Sequence, residues 1–162
     1  MTDAQQEWLL RPTILPPALR QVEGTRYWEF AEEYRVSLPP PKFPLRLVIP
    51  AGWRYDRSSI PPLIPGWLVS RDDLGTLAPA PHDAGYQVRG RFSGEPPPPL
   101  MPYVIDEAGA AVPIVVTRAT VDEWFLLYLL RQRIPRWRAY GAYGAVRAWW
   151  EAREAIGMAE RG

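Results

Sequence analysis

Residues 117–150, TRATVDEWFLLYLLRQRIPRWRAYGAYGAVRAWW, carry the strongest periodic pattern in the chain and decide its fold class. Thr117 is a favourable helix N-cap, and Val121 and Phe125 begin an apolar run at helical spacing. Pro135 ends this run, because proline lacks the amide proton that the interior of a helix needs. The pattern therefore predicts a helix that stops before Pro135.

A second helix is predicted from about Trp137 to Ala155. Its candidate buried face consists of Tyr140, Tyr143, Val146, Trp150 and the nearby alanines. Because a short connection through Ile134-Pro135 joins the two helices, we expect a helical hairpin. The helices also carry four tryptophans: Trp124, Trp137, Trp149 and Trp150. We expect these side chains to pack in the core. The alternative is an exposed patch that faces lipid or another protein.

Upstream of the helices, short strands alternate with proline-rich connectors. Residues 27–38 and 43–49 are rich in aromatic and β-branched side chains, and the prolines at 39–41 make the connection between them rigid. Residues 103–116 form two short apolar runs around a turn at 106–109 and predict a hairpin. The predicted fold class is α+β, with short antiparallel strands and hairpins followed by the C-terminal helical hairpin.

The domain organisation follows from the prolines. Asp3 to Leu10 predicts two helical turns, and the prolines at 12–17 then favour an extended path. We predict an extended, proline-rich N-terminal arm at 1–26, a single α+β domain at 27–156 and a flexible tail at 157–162. Four consecutive prolines at 96–99 favour a polyproline II path within the domain.

Composition excludes several classes of function. The 162 residues include 20 prolines and no cysteine, so disulfides, thiolate metal sites and thiol nucleophiles are ruled out. A net charge of +1 does not indicate a nucleic-acid-binding protein. The N-terminus lacks the basic and apolar regions of a signal peptide. No run approaches the roughly 18 apolar residues of a transmembrane helix.

The candidate chemistry centres on His82, the only histidine. A helix is predicted to begin near Pro81, with His82 and Asp83 in its first turn. Adjacent residues on a helix point about 100° apart, so we expect these two side chains to serve different partners rather than each other. Asp122, at the edge of an apolar helix face, is placed to reach across to a ring nitrogen of His82.

Such a pair could act as a general base that activates water for attack on an ester. Asp83 would then be available to bind a hard cation such as calcium, together with loop carbonyls or Asp56. A serine nucleophile at Ser58 or Ser59 is disfavoured, because no G-x-S-x-G motif surrounds either residue.

The alternative is a structural network. Asp56, His82, Asp83 and Asp122 would tie a loop to both helices, with Arg118 and Arg147 closing the network ionically. A lone histidine often has such a role, and the helix dipole favours an acid in the first two turns, where Asp122 lies. The sequence leaves both interpretations open.

Four ordered segments carry a family resemblance: 50–64 (PAGWRYDRSSIPPLI), 82–86 (HDAGY), 117–130 (TRATVDEWFLLYLL) and 135–149 (PRWRAYGAYGAVRAW). Together they resemble an uncharacterised family of tailed phages and prophages. The positions that match its motifs are Pro50, Gly52, Asp56, Ser59, Ile60, Pro61, His82, Asp83, Tyr86, Arg118, Asp122, Phe125, Ala145, Val146 and Arg147. The resemblance implies a phage or prophage origin and adds Ser59 and Tyr86 to the candidate network.

A more limited similarity is to the secreted phospholipases A2, in which a helix carrying His-Asp faces a second helix whose Asp orients the histidine. This similarity implies that His82 is the base, Asp122 its orienting acid and Asp83 a calcium ligand.

Two functions are therefore expected. The first is a virion component, in the tail or its tip, that assembles in the host cytoplasm with other phage structural proteins. The alternative is a small His-Asp hydrolase, a phospholipase-like esterase that acts at the host envelope through transient membrane contact. No nucleic-acid partner is expected, and the oligomeric state is left open.

Overall fold

The structure is a computed structural model that describes residues 1–11, 18–25, 27–55, 78–94 and 100–155. The elements in these ranges are α1 (Asp3–Leu10), β1 (Leu19–Gln21), β2 (Trp28–Phe30), β3 (Tyr34–Ser37), β4 (Arg46–Ile49), β5 (Arg54–Tyr55), α2 (Pro79–Gln87), β6 (Arg91–Phe92), β7 (Tyr103–Ile105), β8 (Ile114–Val115), α3 (Arg118–Arg131) and α4 (Arg136–Ala155). This mixture of short antiparallel strands and helices confirms the predicted α+β class.

The described strands form three small antiparallel sheets, in the orders β1-β2-β5, β3-β4-β7 and β6-β8. The strand-like stretches 27–38 and 43–49 pair with each other across the proline-rich connection, because β3 pairs with β4 from Tyr34 opposite Ile49 to Ser37 opposite Arg46. Residues 27–38 form two strands rather than one, since the chain bends at 31–33 and leaves the first sheet for the second. Two cis peptide bonds, Pro40-Pro41 and Phe43-Pro44, lie in the β3–β4 connection.

The predicted hairpin at 103–116 is only partly correct. The chain turns back at 106–110, where Asp106 accepts a hydrogen bond from the Ala110 amide, and a single bridge joins Ile105 to Ala111. Beyond this bridge the two apolar runs of 103–116 do not pair with each other. Strand β7, in the first run, pairs with β4, and strand β8, in the second run, pairs with β6. Strands of two or three residues carry too few side chains to specify their pairing from sequence.

The C-terminal helices form the predicted hairpin, with α4 packed against α3. Helix α3 begins after the N-cap Thr117, whose side chain accepts a hydrogen bond from the Thr120 amide. Eight of its side chains are buried: Val121, Asp122, Trp124, Phe125, Leu126, Leu127, Tyr128 and Leu129. Helix α3 therefore forms the centre of the core, with α1, α2 and α4 around it.

The expected buried face of α4 is confirmed for Val146, the alanines and, in part, Tyr143 and Trp150, but it is wrong for Tyr140. Small residues, Ala139 and Ala142, are almost completely buried together with Val146, whereas Tyr140 is 44% exposed. Trp137, which we expected in the core, is 61% exposed. Alanine at the contact lets the axes of α3 and α4 approach closely, and the larger rings on the neighbouring positions are consequently displaced to the surface.

The N-terminal region packs against the rest of the molecule. Trp8 on α1 is 1% exposed, and its ring meets Tyr128 of α3 edge-on, with 5.4 Å between ring centroids. The Arg131 guanidinium lies 4.2 Å from the centre of the Trp8 ring. Strand β1 pairs with β2, so both described parts of the predicted arm contact the domain.

Some predictions lie outside the described residues: the prolines at 12–17 and 96–99, most of the loop around Ser58 and Ser59, and the tail at 157–162. None of the described helices combines the length and the hydropathy that crossing a membrane would require.

We predict that Trp8→Ala lowers the free energy of unfolding by about 3–5 kcal/mol, because it removes a fully buried ring from the contact between α1 and α3. Leu10→Ala, on the same helix but 87% exposed, is the matched control and should change stability by less than about 0.5 kcal/mol. Urea denaturation measures both. Equal effects of the two variants would mean that α1 does not belong to the folded core.

Candidate functional site

The first turn of α2 carries the candidate base. Helix α2 begins at Pro79, two residues before the expected start at Pro81. Both prolines fit there, because the first four amides of a helix have no intrahelical acceptor and proline has no amide proton to leave unpaired. His82 follows in this rigid turn and faces α3.

A glycine allows α2 to approach α3 closely. A Cβ atom at Gly85 would lie 2.8 Å from both methyl carbons of Val121, nearer than such atoms can come without displacement. The far end of α2 is held by the Trp53 indole, which donates a hydrogen bond to the Gln87 side chain. The close approach at Gly85 brings His82 within reach of α3.

His82 and Asp122 meet across this contact, as expected. His82 Nε2 lies 3.1 Å from Asp122 Oδ1, and the two residues are 3% and 2% exposed. The Tyr86 hydroxyl donates a second hydrogen bond to the same oxygen, at 2.7 Å. His82 and Tyr86 are four residues apart on α2, which places both on one face of the helix. A buried carboxylate thus receives two hydrogen bonds from one helix.

The second ring nitrogen faces Asp83. His82 Nδ1 lies 3.4 Å from Asp83 Oδ1, a long contact. The expectation that these neighbours would not meet is therefore wrong: Nδ1 is the ring nitrogen closer to the backbone, and it reaches the next side chain once Asp122 fixes Nε2. The Asp83 side chain is 21% exposed, so the Nδ1 edge of the ring lies on the more accessible side of the site.

Two carboxylates flank one imidazole, and this determines its protonation. Burial lowers the pKa of His82, but hydrogen bonds to Asp122 and Asp83 and the charges of both carboxylates outweigh burial, so its pKa is raised above 6.5. An ionised carboxylate only accepts hydrogen bonds. A neutral imidazole has one N–H and can therefore satisfy only one of the two acids, whereas the imidazolium donates to both.

Aromatic rings enclose the pair. The His82 ring centroid lies 4.5 Å from that of Tyr86 and 5.3 Å from that of Phe125. Tyr86 in turn stacks on Trp150 of α4, with 5.0 Å between centroids, and the Arg118 guanidinium lies 6.0 Å from the Trp150 ring. The rings keep the ion pair away from bulk water, which strengthens its electrostatic attraction.

The structural-network hypothesis receives mixed support. Tyr86 joins the network through Asp122, as the network requires. Arg147 pairs with Glu151 at 3.5 Å and donates to the Tyr143 hydroxyl at 3.2 Å. The Tyr143 hydrogen bond and, more weakly, the charge of Asp122 raise the pKa of Arg147, so Arg147 interacts with Asp122 electrostatically without a direct ion pair. Arg118 approaches the site through its contact with the Trp150 ring.

The metal hypothesis stays a prediction. Asp56 and Ser59 lie outside the described residues. Within the described ranges, no group of three or more histidine or acidic side chains is arranged to hold a metal ion. Asp83 is therefore one candidate oxygen ligand, and a calcium site would need the loop that contains Asp56.

Sequence reasoning missed two residues that shape the site. Gly85 sets the spacing between α2 and α3, and a glycine inside a helical pattern is a known signal of close packing. Trp150 was expected on the buried face of α4, but its stacking on Tyr86 connects α4 to the His82–Asp122 pair. The spacing of residues within α4 places Trp150 on the buried face but does not identify Tyr86 of α2 as its partner.

We predict that the stability contributed by His82 decreases as the pH rises. The folded state raises the pKa of His82 above 6.5, so this contribution is complete below 6.5 and is lost as the pH passes through the folded-state pKa. Urea unfolding of the wild type and His82→Gln at a series of pH values measures it. The wild type should exceed the variant most at acidic pH, and a difference that grows with pH would show that folding favours the neutral ring.

Comparison with known proteins gives no relative of this chain: no protein-family model, no curated protein and no solved structure matches it. The roles considered for His82 and Asp122 therefore rest on their own contacts.

Proposed function

We propose that this chain is a small hydrolase in which His82 activates water for attack on an ester. One observation carries the proposal: Asp122 holds Nε2, and Nδ1 is left on the side of the partly exposed Asp83. A general base needs one nitrogen fixed by an acid and the other turned toward water. The long 3.4 Å contact to Asp83 is weak enough for a water molecule to replace it.

The proposed reaction follows from this geometry. Neutral His82 takes a proton from water on Nδ1, and the resulting hydroxide attacks the ester carbonyl carbon. Asp122 stabilises the imidazolium that forms. The tetrahedral intermediate then collapses, the bond to the alkoxy group breaks, and the proton on Nδ1 passes to the leaving alkoxide. Tyr86 is a positioning residue, because its hydrogen bond fixes the Asp122 carboxylate and not the substrate.

The proposed substrate is an ester of the host envelope, with phospholipid as the first candidate. Calcium would act at Asp83, outside the His82–Asp122 pair. Assays with calcium and with a chelator distinguish a calcium-dependent reaction from one that needs only the pair.

We predict that His82→Gln and Asp122→Asn each lower ester hydrolysis by about 10²-fold or more, because a positioned base contributes about 10²–10⁴-fold. Asp106→Asn is the matched control, since Asp106 lies in the surface turn at 106–110 and the amide can still accept the Ala110 hydrogen bond. Hydrolysis of phospholipid vesicles and of a soluble fluorogenic ester is measured for each variant. Wild-type activity should also rise with pH as His82 loses its proton.

Two controls distinguish loss of the catalytic base from loss of the fold. Circular dichroism and thermal melting show whether each variant is folded, and Tyr86→Phe, which removes only the hydroxyl, should retain the fold with a smaller loss of activity than Asp122→Asn. A folded His82→Gln variant with wild-type activity would reject the base. Wild-type protein without activity on either substrate would leave the structural network as the role of His82.

The second candidate function is the virion component. Apolar side chains on elements away from His82 favour it: Leu10 on α1 is 87% exposed and Val115 on β8 is 72% exposed. Such side chains suit contacts with other subunits. The two functions are compatible, because an enzyme that breaches the envelope can be carried in a phage tail.

We predict that mass spectrometry of purified phage particles detects this polypeptide, and that particles assembled with His82→Gln at low temperature still contain it. Incorporation depends on the surface, whereas the substitution weakens the buried network. Particles that lack the wild-type polypeptide would exclude the virion role. That result would have no bearing on the proposed hydrolase activity.

A further inference from the structure

The turn between α3 and α4 forms a cationic corner, residues 131–140, with the sequence RQRIPRWRAY. It contains four arginines and no acidic residue. Arg133, Pro135 and Arg136 are exposed, and Trp137 and Tyr140 are 61% and 44% exposed. Trp137 and Tyr140 are three residues apart on α4, so the two rings lie on the same side of the helix.

Two of these arginines have no ion-pair partner within the described part of the chain, namely Arg133 and Arg136. Their charges are therefore not neutralised by nearby described carboxylates. The corner combines uncompensated guanidinium groups with exposed aromatic rings, although the chain as a whole carries a net charge of only +1.

The backbone at Arg133 provides a second observation. Arg133 has φ 61° and follows Gln132, the C-cap of α3, and the Ile134 amide donates to the Leu129 carbonyl at 3.1 Å. Glycine is preferred at this left-handed position, because a Cβ atom there lies too close to the neighbouring backbone. The chain places an exposed cation at a position where local stability favours glycine.

We propose that the cationic corner binds the surface of an anionic lipid bilayer. Tryptophan and tyrosine rings favour the interface between headgroups and acyl chains, and arginine pairs with lipid phosphates. Arginines near an anionic membrane surface each add about 1 kcal/mol of attraction. The match between the two exposed, uncompensated charges of Arg133 and Arg136 and an anionic surface selects this partner.

The short span of the arginines favours a membrane over a nucleic acid. Single-stranded nucleic acids are bound in cationic grooves that follow the backbone over several nucleotides. Here four arginines lie within ten residues, from the last residue of α3 into the first residues of α4. The exposed Trp137 beside them suits insertion into a headgroup layer.

The cationic corner and the His82 site lie at opposite ends of α3. Nine residues separate Asp122 from Arg131, which corresponds to about 14 Å along the helix. The corner therefore anchors the molecule and does not form the entrance to the site. Membrane binding at the corner does not depend on the proposed hydrolase activity. Inactive His82→Gln protein should therefore still bind vesicles.

The test is co-sedimentation of the full chain with vesicles of phosphatidylcholine, and of phosphatidylcholine mixed with phosphatidylglycerol, at low and high salt. We expect binding to the anionic vesicles only, weakened by salt. Arg136→Gln and Arg133→Gly should each lower the partition coefficient by about fivefold. Trp137→Ala should lower it several-fold. Arg133→Gly should also melt at or above the wild-type temperature, which separates lost binding from lost folding.

Arg46→Gln and Val115→Ala are the matched controls, because each removes an exposed charge or apolar side chain outside the corner. Both should bind like the wild type. The proposal is overturned if anionic vesicles are not bound, if phosphatidylcholine alone is bound equally well, or if the controls lose as much as the corner variants. Tighter binding of a single-stranded oligonucleotide, with the same dependence on the corner, would also overturn it and assign the surface to nucleic acid.

Discussion

The carboxylate of Asp122, buried at the contact between α2 and α3, is the constraint around which this end of the core is arranged. It accepts hydrogen bonds from His82 and from Tyr86, one helical turn apart, and both donors come from α2. Removing one partner of a buried ion pair costs about 3–5 kcal/mol, because the remaining charge stays out of water without compensation. Helix α2 cannot move away from α3 without incurring that cost. The missing side chain at Gly85 is what allows the two helices to come close enough.

The same contact imposes opposite demands on the imidazole. Folding favours the imidazolium, since only the charged ring donates to Asp122 and Asp83 together. Base catalysis requires the neutral ring, with its lone pair on Nδ1. Conflicts of this kind between stability and chemistry are typical of functional sites.

Sequence patterns predicted the helices well and the sheets poorly, and the reason is physical. In α3, the N-cap Thr117 and the stop at Pro135 are local signals, and the apolar run between them is long. The pairing of His82 with Asp122 was also predictable, because each lies at the edge of a helix face. Strands β7 and β8 have three and two residues, and their partners are chosen by tertiary packing. The exposure of Tyr140, which was expected on the buried face, likewise depends on how closely α4 approaches α3.

Helix α4 shows how one element divides its aromatic residues between core and surface. Ala139 and Ala142 form the close contact with α3, so the bulky rings nearby must lie elsewhere. Toward the C-terminal end, Trp150 turns inward and stacks on Tyr86, which shields the carboxylate that Tyr86 contacts. At the N-terminal end the rings of Trp137 and Tyr140 face solvent beside exposed arginines. Trp150 is partly buried against the core, whereas Trp137 is 61% exposed and adds nothing to the core. That asymmetry within a single helix is what distinguishes a binding corner from incompletely buried core.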